Sequence, residues 1–254
     1  MAFLGVPLVI VFSLLWYLPG IRVQGKNNAY HTKDYIKTAL IYGVLYSCLL
    51  IIVTEVTWDI VVGKPKDASF GGKILSDFLR AALLEEFFKL TGFLLAKRKL
   101  KPQRKIDFIM IAGLMGLTYN IVEKAVLGSI IPMIFGVVFP LHILWQFNQG
   151  GHYYEYEKAK AEGNRKLARR EWFMAICVPF LFHGLWDSAI DVIDLCINQE
   201  DPGIMQVCGY ILILAVIAVA VIYAVKTMKK VIRTAKEDSA EAPAEQEQIP
   251  EDTD

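Results

Sequence analysis

The chain has 254 residues, 55% of them hydrophobic, and a mean hydropathy of +0.40. That apolar excess excludes an ordinary soluble domain and predicts a polytopic membrane protein. A net charge of +1 excludes a bulk field of the kind that draws nucleic acid, so the placement of the charges carries the information.

A spanning helix needs roughly 20 mainly apolar residues. Seven segments qualify, at about 2–18, 38–62, 74–96, 106–127, 130–149, 172–195 and 204–225. They predict an all-α polytopic bundle of about seven transmembrane helices. The first segment lacks a basic n-region and an A-x-A-like cleavage site, so it reads as an uncleaved span. Arg22, Lys26 and Lys33 follow it. The third is weakest in hydropathy because it carries Asp77, Arg80, Glu85, Glu86 and Lys89. Lys97, Arg98, Lys99, Lys101, Arg104 and Lys105 follow the third span, and Lys158, Lys160, Arg165, Lys166, Arg169 and Arg170 follow the fifth. Lys226, Lys229, Lys230 and Arg233 follow the seventh.

With seven spans, all these basic clusters fall on one side. The loop after the sixth span, with Asp191, Asp194, Glu200 and Asp201 and no base, falls on the other. The positive-inside rule then puts the N-terminus outside and the C-terminus in the cytoplasm. Lys64, Lys66 and Lys73 are the exception on the outer side. Residues 1–235 read as one integral-membrane domain with its core motifs at 80–190. Residues 236–254, KEDSAEAPAEQEQIPEDTD, read as a disordered acidic cytoplasmic tail. Cys48, Cys177, Cys196 and Cys208 carry no metal or redox signature, and free thiols are the expectation.

Ionisable groups inside a bilayer cost roughly 3 kcal/mol each on insertion scales, so they face the bundle interior and mark function. In span three, Lys89 lies angularly between Glu85 and Glu86, and Glu85 to Lys89 is the favourable i,i+4 order. Two adjacent carboxylates cannot both ionise freely in a low dielectric, and Lys89 is the counter-charge for one of them. Such a set serves either general acid–base chemistry or a charge-neutralised bridge between helices. Span four offers Asn120 and Glu123 on one face, and span five offers His142, two residues after Pro140. Span six offers His183 and Asp187, an i,i+4 pair in which the acid can fix the imidazole tautomer. Acids and histidines from several helices at one depth make the kind of inward-facing set found in bundle active sites. No H-E-x-x-H and no G-x-S-x-G occurs.

Taken in order, E-E-x-x-K, a Gly-rich helix ending in a polar pair, P-x-H and H-G-x-x-D resemble the PrsW family of intramembrane endopeptidases. That family is grouped with the prenyl-protein (CAAX) proteases and the abortive-infection membrane proteins. The resemblance covers roughly residues 80–190 and is strongest in LLEEFFKL and FLFHGLWD. It implies peptide-bond hydrolysis within or beside the membrane. It also implies that Glu85 and Glu86 are the acidic pair, Lys89 their basic partner, His142 the middle histidine, and His183 with Asp187 the last motif. The second motif departs from the family's glutamate followed by asparagine. Alignment on the glycines puts Asn120 in the glutamate's place, and alignment by chemistry puts Glu123 there. The family in turn resembles the multispan scaffold subunit of gamma-secretase, which implies that the fold can also serve without catalysis.

Two chemistries suit these residues. In one, Glu85 or Glu86 is the base, His142 and His183 hold water and stabilise the oxyanion, and Asp187 orients His183. In the other, His142, His183 and Glu86 hold Zn²⁺ with a fourth position open. Either needs a polar cavity between spans three and six. The expected partners are the lipid bilayer and a membrane-protein or peptide substrate, with no nucleic acid. Family analogy points to the bacterial plasma membrane and to site-1-type cleavage of an anti-sigma factor. The rival classes are a non-catalytic scaffold or immunity protein and an ion-coupled transporter. The latter is weakened by the absence of inverted repeats.

Overall fold

A computed structural model describes residues 11, 14–15, 32–53, 70–127, 141–197 and 203–246. The described residues are almost entirely helical and contain no strand. The helices are α1 (Thr32–Ile51), α2 (Phe70–Ser76), α3 (Leu84–Leu100), α4 (Lys105–Leu127), α5 (Leu141–Ala161), α6 (Arg165–Ile197) and α7 (Ile204–Gln246). A π-helical stretch, Asp77–Leu83, joins α2 to α3 without a break. The helix α4 is the buried centre, flanked by α1, α3, α5 and α7, and α6 packs on α5, on α7 and on the π-helical stretch.

Local chemistry accounts for the ends. Lys101 stops α3 in the left-handed conformation (φ 48°), its N–H donating to the Lys97 carbonyl at 2.8 Å, and Pro102 follows. Between α5 and α6, Gly163 takes φ 73°, which glycine adopts without penalty. The Asn164 N–H reaches the Ala159 carbonyl and the Gly163 N–H that of Lys160, the paired bonds of a Schellman turn. The Asn164 side chain then accepts from the Leu167 N–H at 3.1 Å and caps α6.

Small residues set the closest helix contact. A Cβ on Gly116 would lie 2.3 Å from the His142 carbonyl oxygen, so α4 meets the backbone of α5 directly beside His142. Within α6, Pro179 cannot donate to the Ala175 carbonyl. The amide of Gln149 on α5 donates to that oxygen instead, at 3.2 Å.

The surface is that of a membrane protein. Phe87, Phe173, Leu185, Ile211, Leu214 and Val219 are all at least 59% exposed, large apolar side chains that lipid accommodates and water does not. Three helices among the described residues are long and apolar enough to cross a membrane: Lys105–Glu123 within α4, Arg165–Ile197, and Ile204–Asp238. The third predicted span falls on a continuous helical run, 70–100, whose middle holds Glu85, Glu86 and Lys89. The first predicted span, apart from residues 11 and 14–15, lies outside the described residues, as do the end of the second and 130–140 of the fifth. Helices α5 and α6 continue past the predicted spans into the mixed-charge segment, as a tight helical hairpin. Lys97 and Lys105 pair there with Glu157 and Glu155. Helix α7 continues to Gln246, into the predicted tail, and Asp238 accepts from the Ile106 N–H at 2.7 Å, at the start of α4. All four cysteines are free.

Candidate active site

The π-helical stretch leads into α3 against α6. Phe78 packs on Gly184, and the Ser188 hydroxyl donates to Asp77 at 3.3 Å. Such wide turns are common next to functional sites. From Leu84 on, regular α-periodicity turns Glu85, Glu86 and Lys89 inward while Phe87 stays outside. Lys89 reaches both acids from its own helix, with Nζ 2.7 Å from Glu86 Oε1 and 3.4 Å from Glu85 Oε2. It also lies 4.2 Å from the centre of the Tyr119 ring, a cation–π contact from α4.

Helices α5 and α6 complete the set. Lys89 Nζ is 3.0 Å from His142 Nδ1. The other nitrogen of His142 is 3.2 Å from Glu123 Oε2. His183 Nδ1 lies 2.9 Å from Glu86 Oε1, and its Nε2 lies 3.2 Å from Asp187 Oδ2 and 3.5 Å from Glu85 Oε2. The two imidazoles meet edge to face at 5.0 Å, and Trp145 stacks on His183 at 4.8 Å and 27°. Beyond Trp145 lies an apolar groove of about 310 Å³ between α5, α6 and α7.

The two glutamates have different surroundings. Glu86 accepts from Lys89, from Gln146 Nε2 at 2.6 Å and faces His183, three contacts of 2.9 Å or less. Its oxygens are committed. The Glu85 contacts to Lys89 and His183 are 3.4 and 3.5 Å, and Glu85 is more exposed than Glu86. Two like groups with different surroundings can take different roles.

Seven of the eight sequence-derived positions touch one another in this cluster: Glu85, Glu86, Lys89, Glu123, His142, His183 and Asp187. Glu123 Oε2 lies 3.2 Å from His142 Nε2, and Asn120 is buried one turn earlier on α4. Sequence reasoning named Glu86 with the two histidines as a metal set. The structure groups Glu85, His142 and His183, with donor atoms within 4.8 Å of one another. Gln146, Trp145 and Tyr119 received no role from the sequence. Gln146 was detectable only as the continuation of the His142 face. Among the described residues the polar side chains of the cluster touch one another directly. A crevice of about 10 Å³ remains beside Lys89, roughly the space of one water.

A family model described as PrsW family intramembrane metalloprotease matches residues 32–222. The chain belongs to the PrsW family. It is therefore an intramembrane protease, a hydrolase that acts on a protein or peptide in a membrane setting. Neither a curated protein nor a solved structure matches the chain.

The PrsW description implies a metal, and the donor set fits one in kind. Two imidazoles and a carboxylate are the ligands of many catalytic zinc sites. The Glu86 contact to His183 Nδ1 leaves Nε2 facing inward, the orientation that an outer carboxylate gives a ligating histidine. His142 differs, because Lys89 already holds its Nδ1.

Proposed function

We propose that this PrsW-family chain cleaves a peptide bond of a membrane-protein substrate, using Glu85 as the base that activates water. The observation that carries the reading is the meeting of Glu85, His142 and His183, all buried, from three separate helices. Water donates its proton to Glu85 as its oxygen bonds to the scissile carbonyl carbon. The histidines donate toward the developing oxyanion. Glu85 then returns the proton to the leaving amine as the C–N bond breaks. Asp187 and Glu86 orient His183, and Glu123 orients His142. If Glu85, His142 and His183 held a divalent ion instead, it would supply Lewis-acid polarisation of the carbonyl, and Glu85 would then serve as ligand in place of free base.

The same proposal includes seven spans with the N-terminus outside, and residence in the bacterial plasma membrane. The pairing of Lys97 with Glu157 and of Lys105 with Glu155 supports the arrangement, since it gathers the basic ends of three helices at one end of the bundle. An anti-sigma factor with a single span is the substrate that family analogy favours.

The test is cleavage of single-span substrates by purified protein. Glu85→Gln should lower the rate by roughly 100-fold or more, the usual worth of a general base. Cleavage that survives Glu85→Gln, Glu86→Gln and His183→Ala, each shown to be folded, removes this site assignment.

A further inference from the structure

At Lys89 a metal and a side chain compete. Its Nζ lies 2.7 Å from Glu86 Oε1, 3.4 Å from Glu85 Oε2 and 3.0 Å from His142 Nδ1. An ammonium has protons to give and no lone pair. His142 Nδ1 is therefore the acceptor, and the ring carries its proton on Nε2. That nitrogen lies 3.2 Å from Glu123 Oε2. With Nδ1 accepting from the ammonium and Nε2 protonated, the ring has no lone pair to spare.

A metal can reach His142 by two routes. Through Nδ1, the ion takes the seat of the ammonium. Through Nε2, the ring must lose its Nε2 proton, and the neutral imidazole then carries a proton on Nδ1, where it meets the Lys89 donor head-on. Both routes require Lys89 to leave. The ammonium is buried at 4% exposure, and a divalent ion a few ångströms away would repel it strongly in that low dielectric. At His183 Nε2 the neighbours are carboxylate oxygens, which attract a cation.

We propose that the Lys89 ammonium and a divalent cation are alternative occupants of one seat at His142, so that Lys89 sets the metal affinity of the Glu85–His142–His183 cluster. With the lysine seated, the cluster carries its own cation and is complete without an ion. With the lysine displaced, the same cluster is a two-histidine, one-carboxylate metal site. The inference rests on those three residues being the reactive set. Its test, however, reads metal binding and not cleavage.

The full chain, purified in detergent without a histidine tag, is titrated with Co²⁺ and followed by visible absorption. Wild type, Lys89→Arg, Lys89→Met and the double variant Lys89→Met/His142→Ala are compared. Lys89→Met is expected to bind Co²⁺ at least tenfold more tightly than wild type, Lys89→Arg to stay close to wild type, and the double variant to lose the gain. Equal affinity of Lys89→Met and wild type overturns the proposal, as does a gain that survives His142→Ala. Should Lys89→Met not fold, Lys89→Gln, which keeps a donor for Glu86, is titrated in its place, and the same two results overturn the proposal. A wild type that cleaves no substrate defeats the protease mechanism and leaves the Co²⁺ comparison standing.

Discussion

Gln149 donates its side-chain amide to the carbonyl of Ala175, the one acceptor in α6 that Pro179 leaves without its helical donor. The bond ties α5 to α6 two turns before His183 and holds the interrupted helix in place. Gln149→Leu should cost about 1–3 kcal/mol, the range for a buried polar group left unpaired. In a Pro179→Ala background residue 179 regains its N–H, so the same change should cost much less. Unfolding of the four proteins in detergent gives the cycle. Additive costs would show that the two residues are not coupled in this way.

Gly116 and Gly151 make a matched pair for testing backbone approach. A Cβ at Gly116 would sit 2.3 Å from the His142 carbonyl oxygen and 2.9 Å from the Ile143 Cα, both of them backbone atoms. Gly116→Ala should therefore destabilise by about 1–3 kcal/mol as an overpacked contact, and it should displace His142 and depress cleavage. At Gly151 the nearest atom is 3.7 Å away, and alanine there should be neutral or stabilising by up to about 1 kcal/mol. Thermal unfolding and substrate cleavage of the two variants decide the matter.

Gln146 is fully buried and donates to Glu86 at 2.6 Å. Gln146→Leu should cost about 1–3 kcal/mol by leaving that carboxylate oxygen without its donor. Gln146→Glu should be worse, since it sets a second carboxylate against the first. Melting temperatures in this order, wild type above leucine above glutamate, are the expected result. A Gln146→Glu protein as stable as wild type would remove Glu86 from its anchoring role.

Asp238 caps the N-terminus of α4 through the Ile106 N–H at 2.7 Å. Asp238→Ala should cost about 0.5–2 kcal/mol, the usual worth of an N-cap side chain. Removing residues 236–254 should cost at least as much. A chain shortened after residue 235 that melts like wild type would show the contact to be idle.

Helices were legible where composition alone decides them. The predicted span 106–127 differs from α4 by one residue at its start, because an apolar run that begins just after Pro102 and a basic cluster leaves little choice. The shared face of His183 and Asp187 was legible too, since i,i+4 spacing fixes it within one helix. Contacts between helices were not. Nothing in the spacing told which glutamate would be held by Gln146 and Lys89 and which would group with both histidines as a donor set. The choice between Asn120 and Glu123 likewise depended on how α4 is rotated against α5. Hydropathy also ended α5 and α7 too early, because both helices continue as amphipathic or charged rods beyond the apolar stretch.

The acidic pair and its lysine lie on a single helix, and this bears on how the protein is made. His142 follows Lys89 by 53 residues and His183 follows Glu86 by 97, so α3 meets the bilayer before either partner has been synthesised. Each lone charge at mid-helix would add roughly 2.5–3.5 kcal/mol to insertion. The Lys89 bonds to Glu86 and Glu85 close within the segment itself, so α3 enters the membrane already neutralised in part. Lys89→Ala should accordingly lower the inserted fraction of residues 70–100 in a translocon assay, and equal insertion would reject the idea. A residue needed by the finished site would then also act as the passenger that lets its helix aboard.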